Sequence, residues 1–108
     1  MFTKADDGFM NMLIEMIESH IEDVDLDINK LASMMNMSRA TLYRKTSEVL
    51  RVTPNDFIRT IRLKKAAELL RQKEYRVNEI AYIVGFSSSS YFSKCFYKHF
   101  GVLPKDFK

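Results

Sequence analysis

Apolar residues recur every four positions across residues 7–22, where they form one face of a predicted amphipathic helix. The positions on that face are Phe9, Leu13, Ile17 and Ile21. Asp27 then precedes a shorter apolar pattern, and an aspartate in that place is a favourable helix N-cap. We therefore expect a first helix over residues 7–22 and a second, short helix that ends near Asn36.

Two further helices begin at recognisable caps. Ser38 precedes a helix whose pattern buries Leu42. Thr53 caps the next helix, and Pro54 stands in its first turn, where the missing N–H costs nothing. This fourth helix, over residues 54–72, is apolar on more than one side, so it must be covered on more than one side. We expect it to connect two lobes.

The pattern then restarts as a duplication. Residues 31–38 align with residues 80–87 at a spacing of 49, and residues 42–57 align with 92–107 at a spacing of 50. In this alignment Ser38 matches Ser87, so one residue has been inserted in the run of four serines. Each copy reads as a short helix, a turn, a second helix and then a proline-opened helix start.

Each copy has the residue types of a helix-turn-helix motif. Ala32 and Ala81 allow two helices to cross closely, and Asn36 and Gly85 suit the turn. One such pattern is a weak indication, but two in register, each with a basic second helix, are a strong one. The predicted fold is all-α, with two helix-turn-helix lobes joined by a long shared helix and about seven helices.

The predicted organisation divides the chain into five parts. They are an acidic N-terminal segment with the first helix (1–27), a first helix-turn-helix (28–53), a linker helix (54–72), a second helix-turn-helix (73–103) and the start of a C-terminal helix (104–108). Residues 54–71 of the linker span about 27 Å at about 1.5 Å per residue. One turn of DNA is ~34 Å, so we expect one chain to reach successive major-groove segments.

Charge is segregated along the chain. Residues 1–27 contain one basic and eight acidic residues, a balance of −7, whereas residues 28–108 contain sixteen basic and six acidic residues, a balance of +10. A long basic region such as residues 28–108 is expected of a protein that binds a polyanion. Charge alone does not distinguish nucleic acid from an anionic membrane or an acidic protein.

Composition excludes several other classes. The longest apolar stretch falls well short of the ~20 residues of a membrane span, and the single cysteine excludes an internal disulfide and a multi-cysteine zinc site. We expect a cytoplasmic protein that needs no metal or cofactor. His20, which has no second ligand nearby, is interpreted as structural, and the methionines are interpreted as core residues.

Two alternative functions compete with nucleic-acid binding. A catalytic site could be sought among Ser88–Ser90, Cys95 and His99, but no acidic residue orients a base and no glycine-rich loop is present. His99 is placed on the inner face of its predicted helix, and Cys95 is expected to be buried beside phenylalanines. The second alternative is a helical protein-interaction module that docks a partner through the acidic first helix, but it leaves the duplicated basic motif unexplained.

Four segments resemble the AraC/XylS-type DNA-binding domain, namely NKLASMMNMSRATLYRK, IRLKKAAELL, EIAYIVGFSSSSYFSKCFYKHFG and LPKDF. The resemblance covers about residues 7–108, and the sequence is most similar to C-terminal output domains of Bacteroidetes hybrid two-component regulators. It implies a bacterial transcription regulator with double-stranded DNA as its partner. It also implies contacts with RNA polymerase and adjoining regulator domains, and a monomeric isolated domain. A complete small regulator is equally compatible with the length. Three residues depart from the family pattern: Thr46, where the family has a core phenylalanine, Arg51, where it has glycine, and Asn36, where a turn glycine is common.

The second helix of each copy is predicted to face DNA. In the first copy the predicted base contacts are Arg39, Ala40, Tyr43 and Arg44. Arg44 is the first candidate among them, because a guanidinium can donate hydrogen bonds to guanine O6 and N7 at the same time. In the second copy, the resemblance implies contacts at Ser89, Ser90, Ser93 and Lys94. Because serine discriminates bases poorly, we expect this copy to anchor mainly on phosphates. The predicted phosphate contacts are Ser38, Thr53, Arg62, Ser87 and Lys98.

Overall fold

A computed structural model describes residues 3–108, which form six α-helices and one short 3-10 helix. The helices are α1 (Lys4–Ser19), α2 (Ile28–Met34), α3 (Arg39–Leu50), α4 (Pro54–Gln72), α5 (Val77–Ile83) and α6 (Ser89–Phe100), followed by the 3-10 turn Pro104–Asp106. The described residues contain no β-strand. The predicted all-α class and the expected number of about seven helices are confirmed.

Three predicted N-caps begin helices in the structure. Each cap oxygen accepts a hydrogen bond from the backbone N–H three residues ahead: Asp27 from Lys30 at 3.0 Å, Ser38 from Thr41 at 3.1 Å and Thr53 from Asp56 at 3.1 Å. A cap of this kind satisfies one of the N–H groups that the first turn leaves without a partner. Local chemistry therefore fixes where α2, α3 and α4 start.

The end of α1 differs from the prediction. The helix ends at Ser19 rather than near residue 22, and Ile21 lies beyond it. The exposed His20 forms the C-cap, where its Nδ1 is 3.0 Å from the Met16 carbonyl oxygen and its backbone N–H bonds to the Ile17 carbonyl. The ring thus pairs with a carbonyl group that the end of the helix leaves open, and His20 has the structural role expected of it.

The described residues divide into two compact units. The first contains the residues up to His20 together with Asp25–Ile61, and its core is formed by side chains of α1, α2, α3 and the first turns of α4. The fully or almost fully buried members include Leu13, Ile17, Leu31, Leu42 and Ile58. Of the methionines, Met35 is buried, and Met16, Met34 and Met37 pack against this core. Met12 is exposed, so its interpretation as a core residue is wrong.

The second unit contains Ile21–Val24 and Arg62–Lys108. Its core is rich in aromatic residues, because Phe92 and Phe96 of α6 are fully buried and the Phe107 ring meets Phe96 edge-on at 5.2 Å. His99 is exposed with its ring against Phe100, so its predicted inward position is wrong. Cys95 is half-buried rather than enclosed as predicted, because it lies at the edge of this aromatic core.

Arg62 holds the segment Ile21–Val24 within the second unit. Its Nη2 donates a hydrogen bond of 2.6 Å to the Asp23 carbonyl oxygen, although the two residues are 39 apart in sequence. Its Nε is buried and has no hydrogen-bond partner among the described residues. Burial lowers the pKa of Arg62 from that of an ordinary arginine, and the charge of Asp23 opposes this shift. The guanidinium is therefore part of the packing of this unit.

Candidate nucleic-acid interface

The turns of the two helix-turn-helix motifs have the same geometry. Asn36 and Gly85 both have positive φ, of 54° and 92°. The residue after each turn donates a backbone hydrogen bond to the carbonyl of the matching alanine, Met37 to Ala32 and Phe86 to Ala81, at 2.9 Å in both copies. These bonds satisfy carbonyl groups near the ends of α2 and α5, the first helix of each motif. The duplication predicted at the turns is confirmed.

The extra residue of the second copy lies before its recognition helix. Ser88, rather than Ser87, caps α6, because its Oγ accepts a hydrogen bond of 3.1 Å from the Tyr91 N–H. The caps Ser38 and Ser88 are 50 residues apart, whereas the turn residues are 49 apart. Ser87 is thus the inserted residue, and its predicted match with Ser38 is wrong.

The outer side of α3 carries the four residues predicted to contact bases. Arg39, Ala40, Tyr43 and Arg44 are all exposed, and the buried residues of the helix, Leu42, Thr46 and Val49, lie on its other side. The Thr46 hydroxyl donates a hydrogen bond of 2.7 Å to the Leu42 carbonyl oxygen, which allows this polar group to be buried. The packing of α3 therefore presents two arginines and a tyrosine outward.

The outer side of α6 carries lysines and serines instead of arginines. Ser90 and Lys94 are exposed, Ser89 and Ser93 are half-buried, and Lys98 is exposed one turn beyond Lys94. Tyr97 is also exposed, with 55% of its surface accessible. Its position three residues after Lys94 places it on the same face of the helix.

The residues predicted to contact phosphates are placed less uniformly. Ser87 and Lys98 are exposed, Ser38 is an exposed cap whose hydroxyl donates to Thr41 Oγ1 at 2.8 Å, and Thr53 is half-buried at the start of α4. Arg62 is already bonded to the Asp23 carbonyl. That geometry does not favour a phosphate contact for Arg62.

The family model for the helix-turn-helix domain matches residues 31–108, which include both motifs. An AraC-type DNA-binding-domain protein from Chromobacterium violaceum superposes with a TM-score of 0.87 and 26% identity, over 96% of this chain and 92% of that one. The chain is a helix-turn-helix domain of the AraC type. It is therefore a DNA-binding domain of a transcriptional regulator, as the sequence predicted.

Other solved structures share the fold of this AraC-type domain. The C-terminal domain of AraT, a response regulator from Geobacillus stearothermophilus, is 33% identical with a TM-score of 0.82, over 90% of this chain and 80% of that one. The DNA-binding domain of AdpA, solved in complex with a target DNA, is 26% identical with a TM-score of 0.80, over 88% and 85% of the two chains.

Curated relatives of the AraC-type domain are much longer than this chain. Histidine kinase P4 of Formosa agariphila is 35% identical over 106 residues, which are 98% of this chain and 8% of that protein. The transcriptional activator RhaS of Shigella boydii is 34% identical over 99 residues, which are 92% of this chain and 35% of that protein. The chain thus corresponds to one part of each of these relatives.

Residues 3–108 form no helix that is long and apolar enough to cross a membrane. They also contain no group of three or more His, Cys, Asp or Glu side chains placed to hold a metal ion.

Proposed function

We propose that the chain reads DNA with α3 and α6 as two recognition helices, which enter successive segments of the major groove. The observation that carries this proposal is the repeated geometry: both copies have the same turn, a serine cap and a second helix with exposed cations. The N-terminal half of such a helix is the part that reaches base edges. The AdpA domain, solved with its target DNA, supports the proposal by its likeness.

The two helices have different parts in this proposal. On α3, Arg44 reads a guanine through O6 and N7, while Arg39, Ala40 and Tyr43 line the same face. On α6, the donors are the exposed Ser90 and Lys94 and the half-buried Ser89 and Ser93, so its contacts carry less sequence information. The base contacts proposed there are Ser89, Ser90, Ser93 and Lys94, and the phosphate contacts of the domain are Ser38, Thr53, Ser87 and Lys98.

We further propose that the domain is the output part of a larger bacterial signal-transduction protein. AraT is a response regulator, and the relative from Formosa agariphila is a histidine kinase of which this chain matches 8%. In that arrangement the domain works in the cytoplasm, where the DNA is. The exposed side of the acidic α1 is the surface proposed for contacts with adjoining regulator domains and RNA polymerase. We expect the isolated domain to be a monomer.

Salt dependence tests the proposed DNA binding. The affinity for DNA selected from a random pool should fall linearly in a plot of log affinity against log salt. Each phosphate neutralised by a lysine or arginine contributes about −0.9 to the slope. Fluorescence anisotropy on labelled duplexes measures this slope. Absence of binding, or binding that salt does not weaken, would favour the protein-interaction module and contradict the proposal.

Paired substitutions test the roles of the two helices. Arg44→Ala should lower the discrimination between the selected site and a single-base variant of it by about 1–3 kcal/mol, because a bidentate contact to guanine is lost. Lys98→Ala should weaken binding to all sequences alike and reduce the salt slope by about 0.9, as expected for a phosphate contact. Both variants are measured on the same duplexes, and equal losses of discrimination would refute the assignment of Arg44.

A further inference from the structure

Glu48 lies on α3 one helical turn beyond Arg44, the residue assigned to guanine. Its Oε2 is 3.7 Å from Arg44 Nη1, and the two side chains are 63% and 61% exposed. An exposed ion pair of this spacing contributes little to stability, because solvent screens the charges and two long side chains must be ordered. The pair is therefore not needed to hold α3 in place.

The second recognition helix has the opposite charge at the equivalent position. The spacing of 50 between the helix caps matches Arg44 with Lys94 and Glu48 with Lys98. On a helix that faces a polyanion, a carboxylate near the phosphates lowers the affinity for every DNA sequence. Glu48 thus weakens general binding on α3, whereas Lys98 strengthens it on α6.

We propose that Glu48 is a positioning residue that sets the base selectivity of Arg44, and this rests on the proposed function of α3. The carboxylate holds the guanidinium and competes with phosphate oxygens for it. A guanine replaces the ion pair with two hydrogen bonds, at O6 and N7, whereas other bases offer fewer acceptors in the major groove. Without Glu48, Arg44 is free to bond the phosphates of any sequence.

Glu48→Gln tests this proposal, because it removes the charge and keeps the shape. Affinity is measured by anisotropy on the selected duplex and on a duplex with the guanine replaced. We expect tighter binding to the second duplex. The ratio of the two affinities should fall about 3- to 10-fold, which is part of the roughly 5- to 150-fold that an arginine–guanine contact provides.

Glu68→Gln is the matched control. It also removes one exposed carboxylate, which pairs with Lys65 at 3.4 Å on α4 and is 59% exposed. This variant should leave the affinity ratio unchanged, since it alters the net charge by the same amount without touching Arg44. If both variants lower the ratio equally, the effect is one of overall charge and the positioning role is refuted.

A double-mutant cycle separates positioning from a direct contact of Glu48 with DNA. In an Arg44→Ala background, Glu48→Gln should not change the affinity ratio, because the residue it acts through is absent. A change of the same size in that background would overturn the proposal. Loss of all salt-dependent binding by the unaltered chain would instead refute the proposed function. If the unaltered chain binds the selected duplex selectively and the Glu48→Gln variant has the same affinity ratio, only the Glu48 proposal is refuted.

Discussion

Gly85→Ala should lower the free energy of unfolding by about 2–5 kcal/mol. Gly85 has a φ of 92°, and a Cβ at this position would overlap the Ile21 carbonyl oxygen and lie 2.8 Å from Arg62 Nε. The left-handed backbone costs an alanine about 1–2 kcal/mol, and forcing an extra carbon into a packed site costs about 1–3 kcal/mol more. Denaturation with urea, followed by circular dichroism, measures the loss.

Gly101→Ala is the control for this prediction. Gly101 also has a positive φ, of 79°, but a Cβ there would meet no atom within 4 Å. Its substitution should therefore cost only the backbone contribution of about 1–2 kcal/mol. A loss at Gly85 no larger than that at Gly101 would mean that the Ile21 segment moves aside easily, and the close approach would then have no energetic importance.

The contact at Gly85 explains why a glycine stands in the second turn and an asparagine in the first. Asn36 is exposed with a φ of 54°, so a side chain that tolerates the left-handed region is sufficient there. Gly85 is buried beneath Ile21 and Arg62, so no side chain fits. The two turns share one backbone geometry but differ in what covers them.

Much of the fold follows from patterns that are local in sequence. The caps Asp27, Ser38 and Thr53 are recognised by residue type, and each acts on an N–H group three residues away. The burial of Leu42 follows from helical periodicity. Duplication adds a second, independent constraint, because a turn inferred in one copy predicts its counterpart in the other.

Patterns of this kind do not show contacts between distant segments. Arginine is usually exposed, so Arg62 was assigned to a phosphate, whereas its guanidinium bonds the carbonyl of Asp23, 39 residues away. The predicted match of Ser38 with Ser87 fails for a different reason. Four adjacent serines are equivalent as caps, and only the hydrogen bond from Tyr91 identifies Ser88.

The outer side of α3 could be predicted, because its apolar residues clearly mark the opposite side of the helix as buried. The importance of Glu48 could not be predicted from charge composition, which counts it as one of six acidic residues after residue 27. The role proposed for Glu48 rests on its distance to Arg44 and on comparison with Lys98 in the other copy. Exposed acidic residues on predicted recognition helices therefore merit the same attention as the basic ones.

Phe96→Ala should lower the free energy of unfolding by about 3–5 kcal/mol, the usual cost of deleting a buried aromatic side chain. Phe96 is fully buried, and the centroids of its neighbouring rings are 5.7 Å away for Phe92, 4.6 Å for Phe100 and 5.2 Å for Phe107. Urea denaturation measures the loss. Tyr97→Ala, one residue further on and largely exposed, should change stability by no more than about 0.5 kcal/mol.

Thr46 provides a test of why this aromatic residue matters, because it occupies the position of α3 that corresponds to Phe96. It is fully buried, and its hydroxyl bonds the Leu42 carbonyl oxygen. Thr46→Ala should cost about 2 kcal/mol, because it removes one such hydrogen bond, worth about 1 kcal/mol, and a buried methyl group, worth about 0.8 kcal/mol. A loss close to that of Phe96→Ala would mean that the position in the motif, rather than the aromatic cluster, determines stability. A smaller loss is expected, since the first unit buries aliphatic side chains where the second stacks phenylalanines around α6.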